Sequence, residues 1–401
     1  MRLRIIALLI LPGLQNASFS RREAAAKQWY RRAGSYHTLC RGDIQRFRCL
    51  YCGKGCSTQT FSIHYWTHST CDMRRLREEL DSSSGLRQIA RRWSVCYRVV
   101  QNRIRRLARN AVALLHSAAG DATLGEDLVI DGFESFLRSQ YFPTNYTIAA
   151  GSSSQYLWGF SLTTLRRKGR MTQQQRQRCT MIDAHWRPAA RAVSASLQLL
   201  LGGLCPAIER GCTSGGLSTI RSDEHRGYPP ALRSLAPLRR LLREGRLRHL
   251  QVSSRRARTR ANPLFAVNYI DRQIRKNCGE HARETVKQPR EANCSAERMA
   301  IFALSHNFFT PHRISDAADS TAEPTHADVA GISGAQQVQW MLARLFSHRH
   351  LFAHLQKPAG WVREIWQHEY ENPPAVDFRS GALSSTVVGL PAGAVACHLT
   401  A

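Results

Sequence analysis

Leu128-Val129-Ile130-Asp131-Gly132-Phe133 is a β-rich run with one carboxylate set into its middle. Burying that charge without a partner is costly, so the run reads as a strand whose acid serves a purpose. Gln155-Tyr156-Leu157-Trp158-Gly159-Phe160-Ser161-Leu162 reads as a second strand, with Pro143-Thr144-Asn145 and Gly151-Ser152-Ser153 as the turn material between. The two are expected to be antiparallel neighbours. A short third strand, Leu217-Ser218-Thr219-Ile220, ends at Asp223. Residues 184 to 201 are apolar at helical spacing, 230 to 244 read as a helix, and His249-Leu250-Gln251-Val252 as a short strand. Asn262 and Pro263 mark the start of another helix, as cap and first-turn proline. On it Leu264, Val267, Ile270 and Ile274 form a buried stripe, and Asn268, Asp271 and Arg275 share its flank at spacings of three and four. Two carboxylates at neighbouring strands plus an oxygen donor on a helix suit a pair of Mg²⁺ ions aligned for phosphoryl transfer. Isolated Asp residues at strand ends also occur in plain turns.

Upstream, Ala119-Gly120-Asp121-Ala122 reads as a linker. Before it, Leu86, Ile89, Ala90 and Trp93 share one helical face, Val95 sits in a turn, and Val100, Ile104 and Leu107 give the next helix its inner face. This is helix-turn-helix spacing over 76–118. The second helix would offer Arg98, Gln101, Asn102 and Arg105 to a major groove, where bidentate donors discriminate bases. Any amphipathic hairpin with a basic outside has a similar pattern. Over 30–75, His37-x2-Cys40-x8-Cys49-x2-Cys52, followed by Gly53-Lys54, is half of a zinc-ribbon pattern, with His37, Cys40, Cys49 and Cys52 as candidate Zn²⁺ ligands. Cys56 and Cys71 are possible substitutes, and a metal-free β-hairpin is the alternative.

The 401 residues, 43% of them hydrophobic, suffice for more than one core. Against 29 Asp+Glu stand 57 Lys+Arg, a net charge of +28 that a polyanion would neutralise, and nucleic acid is the first partner to suspect. Lys occurs only at 27, 54, 168, 276, 287 and 357, so the charge is almost wholly Arg, a bias that GC-rich coding also produces. The 12 Cys lack the dense spacing of a disulfide-stapled domain, so a reducing, cytoplasmic compartment is expected. Arg2 and Arg4 followed by Ile5 to Leu11 imitate a signal peptide, but an Arg-rich stretch follows, and residues 1–29 are read as an N-terminal extension. No later run approaches the roughly 18 apolar residues of a spanning helix, so no membrane partner is expected. Residues 315–401 are Ala-, His- and Pro-rich, a tail in which no chemistry is legible.

Taken in order, several motifs add up. They are Phe47-Arg48-Cys49-x2-Cys52-Gly53-Lys54, Thr58-Gln59-Thr60-Phe61-Ser62, Leu86-Arg87-Gln88-Ile89-Ala90-Arg91 and Ile130-Asp131-Gly132-Phe133-Glu134-Ser135-Phe136. Arg167-Lys168-Gly169-Arg170-Met171-Thr172, Ser222-Asp223-Glu224-His225, Asn262 to Asn268 and Arg283-Glu284-Thr285 follow. From about 30 to 315 the chain thereby resembles the DDE-type transposases of bacterial insertion sequences, in the group with a zinc-ribbon and helix-turn-helix front end. The resemblance implies an α/β (α+β) architecture with a ribonuclease-H-like catalytic core over 122–314. It puts the first acid at Asp131 and the second at Asp223. The third ligand, usually Glu with a basic residue seven positions on, falls on Asn268, with Arg275 seven residues later as a phosphate contact. Asn lends a carbonyl oxygen but no charge, which weakens metal binding. Mg²⁺ or Mn²⁺ is the implied cofactor. The implied partner is double-stranded DNA, both terminal inverted repeats and target, handled by a homo-oligomer at the nucleoid. Cutting and joining of strands is the implied activity. The alternatives are a catalytically dead DNA-binding regulator and a metal-dependent nuclease that does not join.

Overall fold

The computed structural model describes residues 30–50, 53–282, 285–313, 323–349, 373, 375–376 and 383–384. Residues 1–29, with their signal-like run, and most of the chain beyond 349 lie outside them. Strands β1 (Tyr30–Thr38), β2 (Gly42–Cys49) and β3 (Gly55–Ser57) form an antiparallel sheet with β2 in the middle. Ile44, Phe47 and Cys49 of β2 are buried, whereas β1 is exposed along nearly its whole length.

Next come α1 (Met73–Asp81), α2 (Leu86–Arg92) and α3 (Tyr97–Asp121). Asp72 caps α1, its carboxylate accepting from the Arg74 and Arg75 amides, which satisfies donors that the first turn leaves free. The tight turn between α2 and α3 passes through Ser94 at φ 51°. Ile89, Ala90, Val100, Ile104 and Leu107, picked out by the helical spacing, close a small core here with Leu76 and Leu80 of α1, while Leu86 and Trp93 of the same expected face are only partly buried against it. The expected linker at 119–122 is instead the last turn of α3 and the residue after it. Ala118, Ala119 and Ala122 are buried in the larger core, and that packing overrides the linker-like composition.

The larger core is built on β4 (Leu128–Phe136), β5 (Pro143–Gly151), β6 (Leu157–Thr164), β7 (Thr219–Ser222) and β8 (Arg248–Gln251), in the order β6-β5-β4-β7-β8. The pairs β4–β5 and β5–β6 are antiparallel; β7 is parallel to β4, and β8 to β7. Of the expected turn material, Pro143-Thr144-Asn145 and Gly151 belong to the strand β5, which separates β4 from β6 so that these two are not neighbours, while Ser152 and Ser153 do form a turn. All residues of β5 after Pro143 are buried, so alternation vanishes, and Pro143 is tolerated because it stands first in the strand.

Helices α4 (Gln173–His185) and α5 (Ala192–Ser214) follow β6. Of the described helices α5 alone is long and apolar enough for a membrane crossing, and its Leu197, Leu200, Leu201, Leu204 and Ile208 are buried in the core against β5 and β6. The helix expected over 230–244 is two, α6 (Tyr228–Ser234) and α7 (Ala236–Arg243), because Leu235 is extended and Pro237 restarts the second. Helix α8 (Phe265–Asn277) packs on β4 and β5, and α9 (Ala292–Phe309) runs along α3. Short helices α10 (His326–Val329) and α11 (Gln336–Leu342) pack on α9 and α3 respectively, so this part of the expected tail belongs to the core. The described residues therefore make a mixed α/β protein with one five-stranded mixed sheet, a separate three-stranded antiparallel one and a short antiparallel pairing of Ala375–Val376 with Leu383–Ser384.

Candidate active site

In the parallel register of β4 and β7, Leu128 lies level with Ile220, Val129 with Arg221 and Ile130 with Ser222. One residue further on stand Asp131 and Asp223, on strands about 4.8 Å apart. Asp223 leaves β7 in a turn, its Oδ1 accepting from the His225 amide at 3.0 Å, while Asp131 Oδ1 accepts from the Gly132 amide at 2.7 Å. Packing of α8 on β4 adds Asp271. Burial, helped by the Asp223 charge and opposed by the Gly132 N–H and Arg258, pushes the Asp131 carboxyl up to about 6. Burial likewise pushes Asp271 up to about 7, with Asp131 as the repelling neighbour and Arg275 and Arg258 opposing. Tyr228, only 2% exposed, feels all three aspartates and is held protonated, mainly by burial.

Asp131, Asp223 and Asp271 thus form one anionic centre. Asn268, on the same flank, donates from Nδ2 to the Leu264 carbonyl of its own helix at 2.9 Å, a bond that leaves its Oδ1 open. The third acidic group that bears on Asp131 is one turn further along, on the flank that the spacing had already marked. Among the described residues no three His, Cys, Asp or Glu side chains converge as a finished metal cage. Asp131 and Asp271 are the two carboxylates of this group that burial desolvates.

This desolvation has a thermodynamic sign. The folded-state Asp271 carboxyl lies above its ordinary 3.8, so the acid favours the fold most when protonated, and that contribution is lost as pH rises from about 4 through about 7. Asp271→Asn is therefore expected to be isostable with the parent near pH 4 and more stable by about 1–3 kcal/mol above pH 7. Urea titrations in chelator at pH 4, 6 and 8 check this; a gap independent of pH would contradict it.

The residues expected to read DNA separate into two groups. Arg98 and Asn102 are exposed. Gln101 donates from Nε2 to Cys294 Sγ at 3.2 Å, and Arg105 faces Glu297 at 3.6 Å and Glu291 at 3.9 Å. Both are turned onto α9, because the flank of α3 that carries them packs there instead of lying open to a groove. Arg275 is engaged as well: it donates to the His281 carbonyl at 3.2 Å and the Glu134 carbonyl at 3.4 Å and stacks 4.6 Å over Phe133, tying α8 to β4 rather than facing a phosphate. Arg98→Ala with Asn102→Ala is expected to cost roughly tenfold in discrimination per lost base contact. Gln101→Ala should leave discrimination unchanged, as competition binding against random duplex would reveal.

Of the expected zinc ligands, the described His37 and Cys49 do not come together. In the hairpin His37 lies level with Asp43 and Cys49 with Tyr30. Positions 43 and 49 are six residues apart (49 − 43) on one strand, roughly 20 Å, so one ion cannot reach both. His37 Nδ1 is instead 2.9 Å from Asp43 Oδ1, and exposed Cys40 donates to the Thr67 carbonyl at 3.7 Å. Cys52 lies outside the described residues. The metal-free hairpin is the alternative that this register fits. Spacing alone also passed over Tyr228 and Arg258. The signal for Arg258 was its Arg-rich run; Tyr228 offered none beyond following Asp223 closely.

Comparison with protein-family models finds no matching family, and comparison with curated proteins finds no match.

Proposed function

We propose that the chain is a DNA strand transferase of the DDE type, a transposase that cuts insertion-sequence ends and joins them to target DNA, built on a ribonuclease-H-like core. The observation that carries this reading is the level placement of Asp131 and Asp223 on parallel β4 and β7, inside the order β6-β5-β4-β7-β8, with Asp271 brought up on α8. Three antiparallel strands followed by two parallel ones, with an acid on the first and another after the fourth, are what such a core requires.

Asp131, Asp223 and Asp271 would hold Mg²⁺ or Mn²⁺, with Asn268 beside them on the same flank. The ions would supply Lewis-acid polarisation of the phosphate and a nucleophile usable at neutral pH. The protein's own groups do the rest. Asp131 and Asp271, raised mainly by burial, would meet the ions as carboxylates, the positive charge offsetting the burial and repulsion that favour their protonated forms. Tyr228 remains a neutral hydrogen-bond donor beside the three acids. Arg98 and Asn102, at the exposed start of α3, would orient the duplex of the terminal repeat.

The regulatory alternative drew its motive from the missing charge at Asn268, and Asp271 supplies that charge from the next turn. The nuclease alternative shares every residue and differs in product. The test is to incubate the full chain with duplexes carrying the flanks of its own gene and with Mg²⁺ or Mn²⁺. Strand cleavage exposing a 3′ hydroxyl, followed by joined products, is expected. Cleavage without joining would favour the nuclease, and metal-independent binding without any cleavage the regulator.

A further inference from the structure

The segment Ser253-Ser254-Arg255-Arg256-Ala257-Arg258-Thr259-Arg260-Ala261 connects β8, the neighbour of the strand that ends at Asp223, to α8, which carries Asp271. Both of its ends are therefore anchored at the acidic centre. Its backbone is held: the Val252 amide donates to the Ser222 carbonyl at 2.8 Å, the Ser254 amide to Glu224 Oε2 at 3.3 Å, and the Arg256 amide to the Ser253 carbonyl at 3.1 Å. Asn262, 5% exposed, does most of the holding. Its Nδ2 donates to the Arg256 and Ala257 carbonyls at 3.3 and 2.8 Å, and its Oδ1 accepts from the Leu264 amide at 2.8 Å. A loop fixed in this way still leaves Arg255, Arg256, Arg258 and Arg260 exposed, and none of the four forms an ion pair with a described residue. Arg258 is near enough for its charge to act on both Asp131 and Asp271.

Four unneutralised guanidinium groups repel one another, and fixing the backbone beneath them keeps them from spreading apart. Such an arrangement suits a ligand whose negative charges repeat along a line. We propose that Ser253–Ala261 is a second nucleic-acid contact, a pinned arginine bracket that grips the phosphate backbone of duplex DNA where it crosses Asp131 and Asp271. Guanidinium forks match phosphate oxygens in geometry as well as charge. The proposal rests on the DNA-handling reading above and adds a contact remote from α3.

The test replaces Arg255, Arg256, Arg258 and Arg260 together by Ser in the full chain, with a control in which exposed Arg170, Arg176, Arg239 and Arg243 are replaced by Ser, an equal change of charge. Affinity for a fluorescent duplex is measured across salt concentrations in chelator, with unfolding midpoints verifying that both variants fold. The bracket variant is expected to lose about 10- to 100-fold in affinity and about 3 in the slope of log K against log salt, the control less than about 1. Asn262→Ala, which keeps every Arg and frees the loop, should lose several-fold. Equal losses in bracket variant and control, an unchanged slope in the bracket variant, or a bracket-dependent preference for single-stranded RNA over duplex would each overturn the proposal. The cleavage assay separates the two readings: a chain that binds through the bracket yet never cuts retains the bracket and loses the transferase, and one that cuts with its slope unaltered by the four substitutions does the reverse.

Discussion

Asp131→Asn is expected to reduce metal-dependent strand cleavage on the order of 10³-fold while duplex affinity in chelator changes little. In the proposed transferase the charge it removes would lie where phosphoryl transfer develops its own, and the proposed duplex contacts Arg98 and Asn102 are on α3. Asp271→Asn should match it, because its carboxyl shares the desolvated centre with Asp131. Asn268→Ala should stay within about tenfold of the parent, since its amide brings no charge to the ions whereas Asp271 beside it does. Single-turnover cleavage at saturating Mg²⁺ provides the comparison. If Asn268→Ala were dead and Asp271→Asn active, the ligand would be Asn268 and Asp271 merely a neighbour. An Asp131→Asn chain that still cuts would remove the acidic centre from the chemistry.

The second large effect is on stability. Glu280, 1% exposed in the single 3-10 turn after α8, pairs with Arg298 Nε on α9 at 2.5 Å, and Arg298 also donates to the Ser84 carbonyl between α1 and α2 at 3.3 Å. Glu280→Ala would leave that guanidinium nearly buried without its partner, and a loss of about 3–5 kcal/mol in unfolding free energy is expected. Adding Arg298→Met should restore much of it, because the charge would then be gone as well. Urea midpoints at unchanged m-value measure both. A Glu280→Ala loss below about 1 kcal/mol would mean that water reaches the arginine after all.

The sequence spoke clearly where spacing and packing coincide. Ile89, Ala90, Val100, Ile104 and Leu107 were legible as one core because helical periodicity alone puts them on facing sides, and the structure buries all of them. The strand bearing Asp131 and the short one ending at Asp223 were legible from β-branched runs bounded by turn residues. Strand β5 was not, because burial on both faces erases alternation and its Pro143-Thr144-Asn145 start imitates a turn. Periodicity groups Arg98, Gln101, Asn102 and Arg105 on neighbouring turns but cannot say that α9 covers two of them. The zinc ligands failed for a similar reason: linear spacing conceals a hairpin register that draws His37 and Cys49 apart. Asn268 and Asp271 share a helix flank, so only side-chain direction distinguishes them.

Helix α3 has one more consequence. Its 25 residues form an unbroken rod whose first half lies in the small core and whose second half, Ala111 to Ala119, lies in the large one. A chimera that spliced a foreign front end anywhere along it would join two helices in mid-turn, and a misjudgement of one residue would rotate everything beyond the joint by about 100°. The small core and the large one are therefore coupled through a single helix, and a front end exchanged along α3 must keep its helical phase.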